Sequence, residues 1–371
     1  MILLRSAVLA LGALVLCVGA AFAQEKAAHP AYPADYAKLV DAARKEGRVV
    51  VYSVLGNKAA APLVADFKAL YPGIEVAYDG QGGSNEITER FLSELKAGKP
   101  SADVMWSSAM DLQMMLVRDG HAASYVSPEA RHLPAWARYK DQAWGTTFEP
   151  VVFVYNRKGV AEDEVPQDRA ALAALLTQRA EKFVGKVAMF DIAQSGVGFM
   201  FAAQDAAQGD TEPLLKALGK ARVHQASGTG EMLSKVNAGE FLLGYNIMGA
   251  YALVRSKKEL PNLGVVLPRD YTLVLSRVMF ISRHAVNPSA ARLWADYMLS
   301  QRGQKILADA IELFCVRDDV EGEYTAGKLA KRIGGALRPI PLDPSIAASL
   351  EPRAHRDFVA RWKASLAVAS R

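Results

Sequence analysis

The sequence predicts an α/β protein of two lobes with a ligand cleft between them. Short apolar runs alternate with amphipathic stretches in two successive series, a pattern typical of parallel sheets covered by helices on both faces. The length of 371 residues is enough for two domains that each bury a core. Because no flexible linker separates the two series, we expect strands that cross between the lobes, outward at 146–154 and back at 263–281.

The first series of strands and helices is predicted between residues 36 and 120. Its strands are apolar runs, and its helices carry apolar residues at helical spacing and end near glycine. The predicted strands are 48–53, 74–78 and 103–106, and the predicted helices are 36–45, 60–70, 84–96 and 110–118.

The second series follows the same logic and is closed by further helices. Its predicted strands are 151–156, 186–190 and 241–245, with two more apolar runs at 263–268 and 272–282. Its predicted helices are 169–179, 197–207, 212–221 and 231–236, and the closing helices are 290–308 and 356–367. We therefore assign 24–147 and 282–371 to the first lobe and 148–281 to the second, with the closing helices returning to the first lobe.

Residues 1–23 are predicted to be a signal peptide. Arg5 precedes the apolar run 7–18, and the small-x-small triplet 21–23 is a cleavage site. An uncleaved membrane anchor is the alternative, but no basic residues flank the run directly on its C-terminal side, and cleavage is favoured. Lipidation at Cys17 is disfavoured because bulky residues precede it. We expect an exported protein.

Composition excludes several classes of protein. With 51% hydrophobic and 22% charged residues, the chain is neither disordered nor a multi-span membrane protein. Its net charge of +5 is not concentrated in a basic run, so we expect no nucleic-acid partner. After cleavage Cys315 would be the one remaining cysteine, and we expect a buried structural thiol there.

Catalytic and metal-binding motifs are not found in the sequence. It contains no GxSxG, no GxxxxGK followed by Ser or Thr, no complete GxGxxG and no HExxH pattern, and its six histidines are scattered. We therefore predict no catalytic residues, no bound metal and no cofactor, and we do not expect an enzyme.

Polar loops follow the predicted strands, and several of them lead into helices. Helix N-termini present free N–H groups and a positive dipole end, and in open α/β sheets these loops lie where ligands bind. Ordinary helix capping is the alternative for any one loop, but five loops from two lobes favour a polar cleft. The candidate ligand-binding residues in these loops are Ser53, Asn57, Ser84, Asn85, Ser107, Ser108, Ser195, Gly196 and Thr229.

Arg277 is a charged residue inside a long apolar run. A buried charge needs a partner. The sequence leaves two alternatives open: Arg277 pairs with a structural carboxylate, or it faces the cleft and meets an anionic ligand. Ser127, by contrast, is expected on a surface loop.

The order of motifs resembles the periplasmic solute-binding proteins of ABC importers, in the ferric-binding-protein-like branch. The matching segments run in the family's order from about residue 47 to 310, and they are 51–53, 102–104, 153–156, 236–239 and 300–307. The resemblance implies a two-lobe, hinge-closing protein that captures a solute for an inner-membrane ABC permease. It also implies a location in the periplasm, and we expect a monomer.

The departures from that family concern iron. The resemblance implies that ferric binders of this family hold iron with a His, a Glu and a tandem Tyr pair. The matching places here hold Asn57, Ser107-Ser108 and the segment 246–251 instead. From that segment Asn246 and Tyr251 join the candidate ligand-binding residues. Fe(III) needs several anionic oxygen ligands, and most are missing.

The anion-binding part of the family pattern is present. Ser195-Gly196 and Thr229 match positions that hold the accompanying anion in relatives. The resemblance thus implies capture of a small organic anion such as a phosphonate, organophosphate or carboxylate. The alternatives are a ferric binder that uses a synergistic anion, a ligand-sensing module for a membrane sensor kinase, and a secreted phosphate-ester enzyme.

Overall fold

The computed structural model describes residues 32–367, so the predicted signal peptide at 1–23 lies outside the described residues. The strands are β1 (Arg48–Ser53), β2 (Glu75–Asp79), β3 (Val104–Ser107), β4 (Arg138–Tyr139), β5 (Ala143–Gly145), β6 (Glu149–Asn156), β7 (Val187–Phe190), β8 (His224–Ala226), β9 (Leu243–Met248), β10 (Leu263–Val266), β11 (Thr272–Leu275), β12 (Val278–Ile281) and β13 (Leu337–Pro339). The helices are α1 (Tyr36–Glu46), α2 (Asn57–Leu70), α3 (Ser84–Lys96), α4 (Met110–Arg118), α5 (Arg169–Gln178), α6 (Ala180–Phe183), α7 (Gly196–Gln208), α8 (Glu212–Lys220), α9 (Thr229–Ala238), α10 (Gly249–Lys258), α11 (Pro288–Leu299), α12 (Gln301–Asp309), α13 (Ala326–Ile333) and α14 (Pro352–Ala367).

Two sheets form the two lobes, which confirms the predicted fold class. The first sheet has the strand order β2-β1-β3-β12-β5-β4, and the second has the order β13-β11-β6-β9-β7-β8, with β10 also paired to β6. In the first sheet β1 pairs in parallel with β2 and β3. In the second sheet β7 pairs in parallel with β8 and β9, whereas β6 runs antiparallel to β9 and β11. Because α2 and α3 connect the parallel strands, their N-termini lie at the carboxyl edge of the first sheet.

The chain passes between the sheets at two places that lie side by side. It leaves the first sheet after β5 and enters the second at β6, and it returns between β11 and β12. The two segments are hydrogen-bonded to each other: Thr146 N–H donates to the Arg277 carbonyl (2.9 Å), and Arg277 N–H donates to Thr147 Oγ1 (2.8 Å).

The return crossing differs from the boundary that we expected at 281/282. The apolar run 272–282 is not one strand, because Ser276 and Arg277 bond across to the outgoing segment and interrupt the ladder. Strand β12 therefore belongs to the first sheet. The pairings favour lobe boundaries near residues 147 and 277.

The helices after β12 also differ in part from expectation. Helices α11 and α12 pack on α1 and α2 of the first lobe, as expected. The predicted helix 290–308 is divided at Ser300, whose Oγ accepts from Gly303 N–H (3.1 Å) and caps α12.

The C-terminal tail does not stay on the first lobe. Strand β13 joins the second sheet beside β11, and α14 packs against α8 with Trp362 buried in the core of the second lobe. Between these two elements, the short helical turn Pro344–Leu350 packs on α4 of the first lobe.

Ser127 is buried, not on a surface loop as we expected. Its hydroxyl donates to Asp296 Oδ1 (2.6 Å), and the hydroxyls of Tyr36 and Tyr125 donate to Oδ2 of the same carboxylate. Burial raises the pKa of Asp296 to about 6. This cluster attaches α1 and the segment around Ser127 to α11. Cys315 is buried, as predicted, and burial raises the pKa of its thiol to about 11.

Candidate ligand-binding site

A cavity of about 580 Å³ lies between the lobes, where the starts of several helices meet. The first residues of α3, α7, α9 and α10 all contribute to its lining. Each helix start offers backbone N–H groups that have no partner within the helix, together with the positive end of its dipole. The lining residues are Val54, Gly82, Gly83, Ser84, Asn85, Glu86, Ser108, Phe190, Gln194, Ser195, Gly196, Val197, Ser227, Gly228, Thr229, Gly230, Met248, Tyr251, Arg255 and Arg277.

The sequence sets each of these helix starts locally. Ser195 caps α7, because its Oγ accepts the N–H of Gly198 (3.2 Å). Glu86 folds back so that its carboxylate accepts the N–H of Gly83 (2.9 Å) at the start of α3. Helix capping, the alternative interpretation of these loops, is therefore correct for Ser195, and the capped start still lines the cavity.

Thr229 differs from Ser195, because its hydroxyl has no hydrogen-bond partner within residues 32–367. The residue is the first of α9, is only 8% exposed and lines the cavity. A buried hydroxyl without a partner is unfavourable by about 1–3 kcal/mol. A ligand that accepts or donates a hydrogen bond at this point would remove that penalty.

Arg277 pairs with a structural carboxylate, which was one of the two alternatives that the sequence left open. Its Nε donates to Glu149 Oε1 (2.8 Å), and Nη2 donates to Glu149 Oε2 (3.3 Å) and to the Tyr251 hydroxyl (2.9 Å), while the residue also lines the cavity. Arg277 and Glu149 are 1% and 0% exposed. Burial by itself lowers the pKa of the guanidinium, but the Glu149 carboxylate outweighs it and holds that pKa above its ordinary value.

A second cation in the lining, Arg255, was missed by the sequence analysis. It lies one helical turn after Tyr251 on α10, a spacing that could have revealed it. Its Nε donates to Glu259 (3.0 Å). Since both cavity arginines already have carboxylate partners, the backbone N–H groups of the helix starts carry much of the positive potential of the cavity.

The structure brings eight of the twelve predicted ligand-binding residues to the cavity. These are Ser84, Asn85, Ser108, Ser195, Gly196, Thr229, Tyr251 and Arg277. The sequence analysis missed the apolar part of the wall, formed by Val54, Phe190, Val197 and Met248, together with Glu86, Gln194 and Ser227.

The other four predicted residues do not line the cavity. Ser53 Oγ accepts the N–H of Leu55 (3.1 Å), and Asn57 Oδ1 accepts the N–H of Gly80 (2.7 Å), so both side chains hold loops in shape. Ser107 Oγ accepts the N–H of Ala109 (3.3 Å). Asn246 Nδ2 donates to Asp205, and neither of these residues lines the cavity.

The lobes touch each other at the edge of the cavity. Asn85 Nδ2 of the first lobe donates to the Gln194 carbonyl of the second (3.1 Å). Next to this bond, a Cβ on Gly196 would lie 2.7 Å from Asn85 Oδ1 and 3.0 Å from Leu112 Cδ1. A Cβ at position 196 would therefore displace the ends of these two side chains when the lobes approach this closely.

The donors present do not resemble an iron site. Within residues 32–367, no three His, Cys, Asp or Glu side chains are grouped so that they could hold a metal ion. The Tyr251 hydroxyl accepts from Arg277, and the Tyr245 hydroxyl donates to the buried Asp205. Burial and the Asp205 carboxylate raise the pKa of Tyr245 well above its ordinary value, which disfavours a phenolate there. No helix within the described residues is long and apolar enough to cross a membrane.

A two-lobe α/β fold with a cavity at the helix starts between the lobes is typical of solute-binding proteins. The chain matches the model for bacterial extracellular solute-binding proteins over residues 62–331, which spans most of its length. It belongs to that family, and the resemblance identified from the sequence is confirmed. A search of curated protein sequences gives no match.

Solved structures support the same assignment. The substrate-binding protein of an ABC transporter from Agrobacterium tumefaciens is 37% identical, with 86% of this chain and 94% of that chain covered and a TM-score of 0.81. AfuA from Actinobacillus pleuropneumoniae, solved with fructose 6-phosphate, is 19% identical, with 86% and 98% covered and a TM-score of 0.70. A ferric binding protein from Campylobacter jejuni is 21% identical, with 85% and 99% covered and a TM-score of 0.68. The last two show likeness of fold alone.

Proposed function

We propose that this chain is the periplasmic binding component of an ABC importer and that it captures a small organic anion. The buried Thr229 hydroxyl carries the proposal, because it has no partner among the described residues and lies where the starts of α7 and α9 meet the cavity. The importer as partner follows from the family and from the 37% identical relative, which is itself an ABC substrate-binding protein.

The anionic group of the ligand is placed on the second lobe. There the Thr229 hydroxyl and the backbone N–H groups at the starts of α7 and α9 offer donors from two helices, with Tyr251 and Arg277 alongside. The first lobe closes over the ligand through Ser84, Asn85 and Ser108, which line the opposite wall.

The size and lining of the cavity support an organic ligand over an inorganic anion. A volume of about 580 Å³ is within the range typical of organic-ligand pockets, which is roughly 300–1,000 Å³. The apolar side chains of Val54, Phe190 and Met248 offer contacts to a carbon body that a bare phosphate ion would leave unused. Phosphonates, organophosphates and carboxylates all combine an anionic group with such a body.

Iron is not the proposed ligand. Ferric ligation would need several anionic oxygens, and the hydroxyl of Tyr251, one candidate phenolate, is hydrogen-bonded to Arg277. Asn57, at one of the positions where relatives hold a metal donor, uses its carboxamide oxygen to accept the N–H of Gly80.

The proposal is tested first by native mass spectrometry of protein purified from the periplasm. We expect a mature chain that begins at Gln24 and carries a bound organic anion. Calorimetry then measures Kd for fructose 6-phosphate, for inorganic phosphate and for any anion found. If the protein carries no anion and binds neither the probes nor other organic anions, the proposal is wrong.

A pair of variants tests the placement of the anion. Thr229→Val removes the hydroxyl and keeps the shape, and because a hydrogen bond to a charged group is worth about 1.5–3 kcal/mol, Kd should rise roughly 10- to 150-fold. Thr229→Ser retains the hydroxyl and should bind nearly as tightly as the parent. Equal Kd values for Thr229→Val and the parent would contradict this placement.

A further inference from the structure

A buried carboxylate, Asp205 on α7, receives hydrogen bonds from four side chains of the second lobe. Its Oδ1 accepts from Arg169 Nη2 (3.0 Å) and from the Tyr271 hydroxyl (2.9 Å). Its Oδ2 accepts from Asn246 Nδ2 (2.5 Å) and from the Tyr245 hydroxyl. Asp205 is fully buried, and it does not line the cavity.

Two of these partners form a β-bulge in β9. Val154 pairs with Gly244 and Val152 pairs with Ile247, so Tyr245 and Asn246 together lie opposite the single residue Phe153. Asn246 has φ of +55°, in the left-handed region, which asparagine tolerates better than other residues with a side chain. Asp205 thus bonds directly to both residues of the bulge.

The bulge determines how the following residues face. Because side chains alternate along a strand, one extra residue reverses the face of every residue after it. The strand ends two residues later at Met248, which lines the cavity and precedes α10 with Tyr251. Without the bulge, the side chains that follow it in β9, including that of Met248, would face away from the cavity.

The remaining partners of Asp205 connect it to the other walls. Tyr271 immediately precedes β11, the strand that leads to Arg277. Asp205 itself lies on α7, whose first residue, Gly196, lines the cavity. Arg169 balances the charge of the carboxylate and stacks on Tyr271, with its guanidinium carbon 3.5 Å from the ring centre.

We propose that Asp205 is a positioning residue for the cavity: it holds the bulge at Tyr245 and Asn246 and so aligns Met248, Tyr251 and Arg277 with the start of α7. Its effect on affinity rests on the proposed function, whereas its effect on the backbone does not. The two effects are therefore measured separately.

Three variants test the proposal, with Leu218→Ala in the same lobe as a control for general destabilisation. Asp205→Asn replaces one carboxylate oxygen, which accepts hydrogen bonds, with an amide NH₂ group, which donates them. The four surrounding side chains are themselves donors to this position. Asn246→Val resists the left-handed conformation, because its side chain is β-branched, whereas Asn246→Gly adopts that conformation freely. Leu218 is a fully buried core residue on α8 and has no part in the cavity.

Hydrogen exchange of the ligand-free proteins gives the first readout. Amides in 246–251 and 273–277 should exchange roughly 10-fold faster in Asp205→Asn and Asn246→Val than in the parent, since these segments lose their anchor. In Leu218→Ala, exchange in these two segments should stay close to that of the parent, whereas Asn246→Gly, which loses the bond to Asp205 but still reaches the left-handed conformation, should show a smaller increase than Asn246→Val.

Calorimetry with fructose 6-phosphate gives the second readout. Kd should rise about 10-fold or more in Asp205→Asn and Asn246→Val and by less in Asn246→Gly, while Leu218→Ala binds like the parent. Unchanged exchange in 246–251 in both Asp205→Asn and Asn246→Val overturns the positioning role. If the parent binds no organic anion, the proposed function fails, and the exchange data alone decide the positioning role. If Asp205→Asn does not fold, Asn246→Gly decides it, because this variant loses the bond to Asp205 without backbone strain: faster exchange in 246–251 than in the parent supports the role, and unchanged exchange overturns it.

Discussion

The ion pair between Arg277 and Glu149 gives the sharpest test of the structure at the hinge. Both side chains are almost fully buried, and they lie where the two crossing segments meet. Glu149→Gln keeps the shape of the side chain and leaves the guanidinium without a compensating charge. Removal of one partner of a buried pair typically destabilises a protein by about 3–5 kcal/mol.

The expected effect exceeds that of an exposed pair by several-fold. Glu259 pairs with Arg255, and the Glu259 side chain is 61% exposed. Glu259→Gln breaks this exposed pair and should change the free energy of unfolding by at most about 1 kcal/mol. The double variant Glu149→Gln with Arg277→Met removes both charges and should recover much of the lost stability, because no unpaired charge stays buried.

Urea unfolding followed by circular dichroism measures these differences. Ligand binding gives a second test of the same pair. Because Arg277 also lines the cavity, a bound anion replaces part of the negative charge that the missing carboxylate supplied. Fructose 6-phosphate should therefore raise the Tm of Glu149→Gln more than that of the parent. The reasoning is refuted if Glu149→Gln is as stable as Glu259→Gln.

Three further predictions follow from steric fit, donor chemistry and burial. Gly196→Ala should displace the side-chain ends of Asn85 and Leu112 and make closure less complete, so that ligand reduces the radius of gyration less than in the parent in X-ray scattering; Gly327→Ala, where a Cβ meets no atom within 4 Å, is the control, and normal closure in Gly196→Ala would contradict the steric argument. Titration with ferric citrate should produce no visible phenolate-to-iron band, and a strong band at one iron per chain would contradict the assignment. Asp111 is fully buried, and desolvation raises its pKa to about 7, above the unfolded value of about 3.9. The unfolding free energy should therefore fall as pH rises from about 4 to 7, and Asp111→Asn should remove that part of the slope in urea titrations; equal slopes would refute it.

Elements with strong local periodicity were predictable from the sequence. The predicted bounds of α3 and α4 agree with the structure, because apolar spacing and the end of each helix are encoded within the segment itself. The breaks at 276–277 and at Ser300 were not predictable in this way. The first of them depends on Glu149, which is more than one hundred residues away in the chain.

The candidate site shows the same limit. Loops that lead into helices were predictable, and eight of the twelve candidate residues line the cavity. Arg255 and the apolar wall were missed, since their position depends on how α10 and the β7–α7 connection pack against the first lobe. The short strand β13 gives no local signal, because three residues become a strand only by pairing with β11.

The C-terminal tail limits how the two lobes can move relative to each other. The two crossing segments lie side by side and act as one axis, about which the lobes could rotate freely. The tail adds a third tether: it leaves the second sheet at β13, touches α4 through 344–350, bonds Arg118 through Glu351 and returns to α8. Any rotation that opens the cleft must preserve this contact or break it. We therefore expect the free length of chain on either side of 344–350 to limit the amplitude of opening, and a chain that ended before residue 337 to open further about the same axis.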